Sequence, residues 1–285
     1  MTAEVALRVV SFDVGTTHLG IWAGEFRGST ERPHERFPFR FDHWELLDLG
    51  TQQLHDVTEQ LHRELDRRPF LSDPQRYDWV LIENQIDDVL LRGGGGRGRN
   101  VATMMYKVGR MKSVGAVIHS YFYAKRATAG APANILYVSP RGKLKVYRGS
   151  VQVQVRERAS EHERNKAIAV AHVRALLNEA AAEGPAAGEM EGEGRALLDW
   201  FWKLRNTRGY LKRDDVADAF LQAAYWCIAR TGWRQPDPPS TDTESLPPVS
   251  SVALDLSLEE QEDDVDEEGE QERAAAEFAF DMQSL

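Results

Sequence analysis

The stretch that most constrains this chain lies near its N-terminus: Val9-Val10-Ser11-Phe12-Asp13-Val14-Gly15-Thr16-Thr17-His18-Leu19-Gly20-Ile21-Trp22. Two apolar runs joined by Gly-Thr-Thr read as a buried strand turning tightly into an antiparallel neighbour. One carboxylate, Asp13, stands at the lip of the first run. A buried charge costs several kcal/mol unless something cationic meets it, so an apolar strand ending in Asp points to a metal or phosphate site. At this point the residue is equally compatible with a plain turn in which Asp13 accepts backbone N–H bonds from Gly15-Thr16-Thr17.

The same pattern recurs. Residues 39–49 form a third strand closed by Gly50, and Thr51 caps a helix whose Leu54, Val57, Leu61 and Leu65 share one face until Pro69 stops it. Tyr77-Asp78-Trp79-Val80-Leu81-Ile82-Glu83-Asn84-Gln85 is another buried strand ending in a carboxylate, Glu83. Directly after it, residues 92–100 are glycine-rich and carry Arg92, Arg97 and Arg99, a basic loop suited to contacts with a nucleic-acid backbone. From Val101 the chain turns helical. Val101, Met104, Val108, Met111, Gly115, Ile118 and Phe122 make an a/d seam, one part of it core and the rest offered to a second subunit.

Residues 134–138 are a further strand, followed by a basic turn, Ser139-Pro140-Arg141-Gly142-Lys143-Leu144-Lys145-Val146-Tyr147. A helix is expected over 161–180, a low-complexity acidic insertion without structure over 183–194, and a short helix over 195–205. The last ordered element, 209–226, contains Lys212-Arg213-Asp214-Asp215-Val216-Ala217-Asp218. Asp214 and Asp215 suit the positive end of a helix and Asp215 and Asp218 share a face, whereas Asp218 lies among apolar neighbours where capping does not explain it.

Net charge alone, −10, argues against a nucleic-acid partner, but its distribution does not. Residues 235–285 hold 16 Asp/Glu against one Arg, so they read as a disordered acidic tail. The preceding 234 residues hold 34 Lys/Arg against 29 Asp/Glu and are mildly basic. The end of the tail regains hydrophobic residues and suits either a short peptide for a protein partner or a frayed helix. A single cysteine, Cys227, excludes an internal disulfide and, with no long apolar run or N-terminal leader, points to a soluble intracellular protein of unspecified compartment.

Asp13 and Glu83 at strand ends, with Asp215 and Asp218 on a late helix, bring four carboxylates from three separated segments. Gathered together they would repel one another unless divalent cations held them, and oxygen ligands without a His/Cys cluster select Mg²⁺ or Mn²⁺. An acidic site in a basic body fits a nuclease that cuts phosphodiesters with two metal ions.

Four segments, Phe12–Ile21, Leu81–Gln85, Ser139–Tyr147 and Lys212–Leu221, resemble the RuvC-type branch of the ribonuclease H-like superfamily, closest to the Holliday-junction resolvases of poxviruses, related large DNA viruses and fungal mitochondria. The resemblance spans roughly residues 8–230, leaving residues 1–234 as one nuclease domain. It implies an α/β fold with a mixed sheet of about five strands flanked by helices. It further implies a homodimer that binds branched DNA, four-way junctions above all, and nicks two opposed strands. By position Asp13, Glu83, Asp215 and Asp218 would be catalytic metal ligands, with Asp214 an alternative to Asp215. Lys143 and Lys145 would meet DNA, together with Arg141, Lys212, Arg213 and the arginines of the basic loop. Two other readings remain: Asp-x-Gly-Thr-Thr also opens the phosphate-binding hairpin of sugar kinases and other actin-like ATPases, and a relative that binds branched DNA without cutting it would keep the same basic surface.

Overall fold

The structure, a computed structural model, describes residues 5–28, 38–50, 54–73, 75–84, 101–132, 134–147, 151, 153, 159–182, 191–204 and 213–233. The expected Thr51 cap, the basic loop 92–100 and Lys212 lie outside these residues, as does the acidic tail.

Val5–Val14 (β1) pairs antiparallel with His18–Gly28 (β2), and β2 with Phe39–Asp48 (β3). On its other side β1 runs parallel to Trp79–Glu83 (β4), which runs parallel to Ile135–Val138 (β5). The sheet order is therefore β3-β2-β1-β4-β5, a mixed sheet of five strands as expected from the sequence.

Helices cover both faces, which is why β1 reads as a nearly continuous apolar run. Leu54–Asp66 (α1) and Val101–Thr128 (α3) close one face, with Val10, Phe12, Leu61, Val114, Ile118 and Phe122 in its core. Glu161–Ala182 (α4), Glu191–Lys203 (α5) and Arg213–Thr231 (α6) close the other, with Val9, Trp22, Val173, Phe201 and Phe220. Cys227 is part of that second core, as its apolar setting suggested.

Two expectations change, and one is met in part. Pro69 ends α1 but also opens a short helix, Pro69–Ser72 (α2), because its fixed φ suits a first helical position. The helix α5 starts at Glu191, inside the stretch expected to lack structure. Its aromatic end drives this: Phe201 is fully buried and stacks on Trp44 at 5.1 Å, a tertiary contact that outweighs the glycines at 192 and 194. On α3 the seam residues Val108, Gly115, Ile118 and Phe122 are buried and Met111 is half-buried, which is the core share expected of it; Val101 and Met104 lie outside the described side chains, and Met105 and Tyr123 are the large apolar residues exposed on this helix among those described.

Candidate active site

Strand alternation decides which face each side chain reaches. On β1, Val10, Phe12 and Val14 point to the α1/α3 core, so Ser11 and Asp13 point towards α6. The helix matches that spacing. Gln222 Nε2 donates to Ser11 Oγ at 2.9 Å, and Asp218, one turn earlier, comes level with Asp13. Four helical residues rise about 6 Å and two strand residues about 6.6 Å, so the two elements keep step. Parallel pairing of Phe12 with Ile82 sets Glu83 beside Asp13, on the same face.

Lys143 completes the group. The chain leaves β5 through Gly142, at φ +104°, into a single 3₁₀ turn, Lys143–Lys145. A Cβ at Gly142 would lie 2.4 Å from the Tyr225 ring, so both conformation and space demand glycine there. The turn delivers the ammonium to within 2.7 Å of Asp218 Oδ2, 3.3 Å of Glu83 Oε1 and 3.8 Å of Asp13 Oδ1. All four groups sit where the parallel strands β1, β4 and β5 end, the edge at which open α/β sheets bind ligands.

Asp13 and Glu83 are buried, and Asp218 keeps about one-fifth of its side-chain surface. Burial, then the Glu83 carboxylate with which it shares a hydrogen bond, holds the Asp13 carboxyl well above the usual range. Burial also pushes Asp218 up to about 6, against the pull of Lys143. The Lys143 amine is raised, since three carboxylates outweigh its own burial. Ionised, three carboxylates around one ammonium leave uncompensated negative charge, and the donors are all oxygen. That combination fits a hard divalent cation. Among the described residues, however, no group of three or more His, Cys, Asp or Glu is arranged so that it could hold a metal ion; Lys143 stands among the carboxylates instead.

The two remaining aspartates part company. Asp214 is buried and its Oδ2 meets Lys166 Nζ at 2.6 Å, whereas Asp215 Oδ2 lies 3.9 Å from His18 Nδ1. Lys166, on α4, was missed in the sequence. Its signal was a cation on the apolar stripe of Val170, Val173 and Leu177, the counterpart of Asp218 on its own helix. His162, one turn before Lys166, is lowered by burial and by that lysine. His18, whose Nδ1 lies 3.0 Å from Thr17 Oγ1, was likewise unmarked.

The other basic residues spread outwards. Arg141 and Lys145 are exposed beside the site. Arg213 turns instead to Trp202, donating to its carbonyl at 2.7 Å with the guanidinium 4.4 Å from the ring centroid. Below the carboxylates, buried Arg110 of α3 holds the β1–β2 turn, donating to Thr16 O at 2.6 Å and Gly50 O at 2.7 Å.

No family model matches the chain and no curated protein does. Solved structures do. RuvC of Thermus thermophilus is 17% identical over 81% of this chain and 99% of its own, with a TM-score of 0.40. The yeast mitochondrial Holliday junction resolvase Ydc2 is 16% identical over 77% and 78%, at 0.38. The fowlpox virus resolvase, in a complex with Holliday junction DNA, is 13% identical over 80% and 100%, at 0.33. Overlaps this loose leave the functional reading to the chemistry of the site itself.

Proposed function

We propose that this chain is a metal-dependent endonuclease that cuts branched DNA, four-way junctions in particular. The observation that carries the reading is the convergence of Asp13, Glu83 and Asp218, from three separated segments, around Lys143 at the carboxyl ends of the central strands. Those three carboxylates would hold the metal, with Asp215 or Asp214 as a fourth ligand. Bound there, Mg²⁺ or Mn²⁺ supplies Lewis acidity towards the phosphate and a more acidic water. Lys143, pre-placed by the Gly142 turn, balances charge at the reacting phosphate without reorganising. Arg141 and Lys145 grip the adjoining backbone, which gives affinity and salt dependence rather than chemistry. Cutting two opposed strands calls for two copies of the site, and exposed Met105 and Tyr123 on α3 offer an apolar face for a homodimer.

The test incubates the protein and Mg²⁺ with a labelled four-way junction beside a matched linear duplex. Paired nicks on the junction support the reading, and the Asp13→Asn variant should bind the junction while losing cleavage. A variant that still cuts at the wild-type rate would refute the site.

A further inference from the structure

A second concavity opens beside the carboxylates and shares Glu83 with them. It measures about 230 Å³ and is lined by Val14, Glu83 and Asn84 on the strands, by Val108, Met111, Lys112 and Gly115 on α3, and by Tyr137 on β5. That is smaller than the roughly 300 Å³ at which pockets for drug-sized ligands begin, and suits one flat ring system rather than a whole nucleotide. Its walls are built for such a ring. Val14, Val108 and Met111 are apolar, and the Tyr137 ring is fixed by stacking on His119 at 5.6 Å and 13°. A Cβ at Gly115 would sit in ordinary contact with Ile82 Cγ2 and Tyr137 Cε1, at 3.4 and 3.5 Å, so any longer side chain there would take up room beside the Tyr137 ring.

The polar group in this wall has no visible task. The backbone N–H of Asn84 donates to Val138 O at 2.7 Å, but its side-chain Oδ1 is buried and has no hydrogen-bond partner among the described residues. A carboxamide pairs with a base edge that offers a donor beside an acceptor, as adenine does. Lys112, exposed on the same wall, suits the phosphate that such a base carries.

We infer that this cavity takes one extruded nucleobase of the strand being cut, next to the reacting phosphate at Lys143, and so sets which nucleotides are cleaved. The inference rests on the endonuclease reading above. Bases at a branch point have already lost stacking, so extruding one there costs less than from continuous duplex. Asn84 and Tyr137 are specificity residues in this scheme, not catalytic ones.

The experiment measures single-turnover cleavage of a four-way junction in which each nucleotide flanking the cut is replaced, one at a time, by an abasic residue. With the wild-type chain, one abasic position should slow cleavage roughly 5- to 150-fold, the range expected for losing one paired base contact. Asn84→Ala, and Gly115→Met to fill the cavity, should cut the intact junction at that slower rate and no longer respond to the abasic position. Wild type that cuts every abasic junction equally, or variants that keep the wild-type response, would overturn the base pocket alone. Failure of the wild-type chain to cut any branched DNA would overturn the endonuclease reading with it.

Discussion

Gly20 is where the fold brings helix backbone against strand backbone, and substituting it tests how the site is built. A Cβ at Gly20 would lie 2.2 Å from Asp215 O, 2.7 Å from Asp215 C and 3.3 Å from Val216 N. Ordinary contact needs about 3.4 Å, so in Gly20→Ala the first turn of α6 must retreat from β2 by roughly 1 Å. Neither partner is a flexible side-chain end. That retreat also strains the 2.8 Å bond from Trp44 Nε1 to Val216 O. Overpacking costs about 1–3 kcal/mol and a weakened hydrogen bond about 0.5–1.5, which together lower the melting temperature of a domain this size by roughly 5–15 °C. Asp214, Asp215 and Asp218 ride on the displaced turn, so junction cleavage should fall further than stability alone explains. Gly109→Ala is the control: a Cβ there meets nothing within 4 Å, and a better helix former on α3 should add about 0.5–1 kcal/mol. Thermal unfolding and cleavage rates of both variants decide the matter. Gly20→Ala melting and cutting like wild type would refute the packing argument.

Removing the cation at the centre of the site, in Lys143→Met, takes away the ammonium that Asp13, Glu83 and Asp218 all face and should cost about 3–5 kcal/mol in a metal chelator. Millimolar Mn²⁺ should restore much of that melting temperature, and an unchanged melt in chelator would count against the ion cluster. Arg110→Met strands the carbonyls of Thr16 and Gly50, costing about 1–3 kcal/mol. Because this loosens the turn below Asp13, it should slow cleavage more than junction binding, as a rate-and-affinity comparison will show. Burial alone would raise Glu45, but hydrogen bonds from Arg68 and His43 hold it down to about 2. Its contribution is therefore complete above about pH 4.5 and lost as pH falls towards 2; after allowance for its partial exposure it is worth about 1–2 kcal/mol. Glu45→Gln should thus cost stability at pH 7 and little near pH 2, and a deficit independent of pH would contradict the sign.

The strands and the three central carboxylates were legible because each breaks an apolar pattern. A charge at the end of a buried strand, or Asp218 amid Val216, Ala217, Ala219 and Phe220, is a local contradiction that the ion pairs with Lys143 resolve. Lys143 was legible as a basic turn, but not as the centre of the ion cluster, since its reach depends on φ at Gly142 and on Tyr225 from another helix. Lys166 and His18 were hidden for a related reason. Their partners, Asp214 and Asp215, stand far off in sequence, and a lone Lys or His on an amphipathic helix or strand end does not announce a buried partner. The position of α5 was misread because composition speaks of its first residues and packing of its last: Phe201 and Trp200 against Trp44 hold an acidic, glycine-bearing start in helical form.

One geometric coincidence links these residues. The carboxylates stay together only while α6 keeps step with β1, and the elements that enforce that step carry no charge: Gly20 lets the backbones touch, Trp44 bonds the first turn, and Gln222 ties the next turn to Ser11 and to Phe12 O at 3.3 Å. Self-repulsion among buried carboxylates works against this arrangement in the absence of a counter-ion, so neutral contacts and Lys143 must together exceed it. Binding energy from an added cation would then go into relieving repulsion already present, rather than into ordering the site, because the positions of the ligands are fixed by packing before any ion arrives.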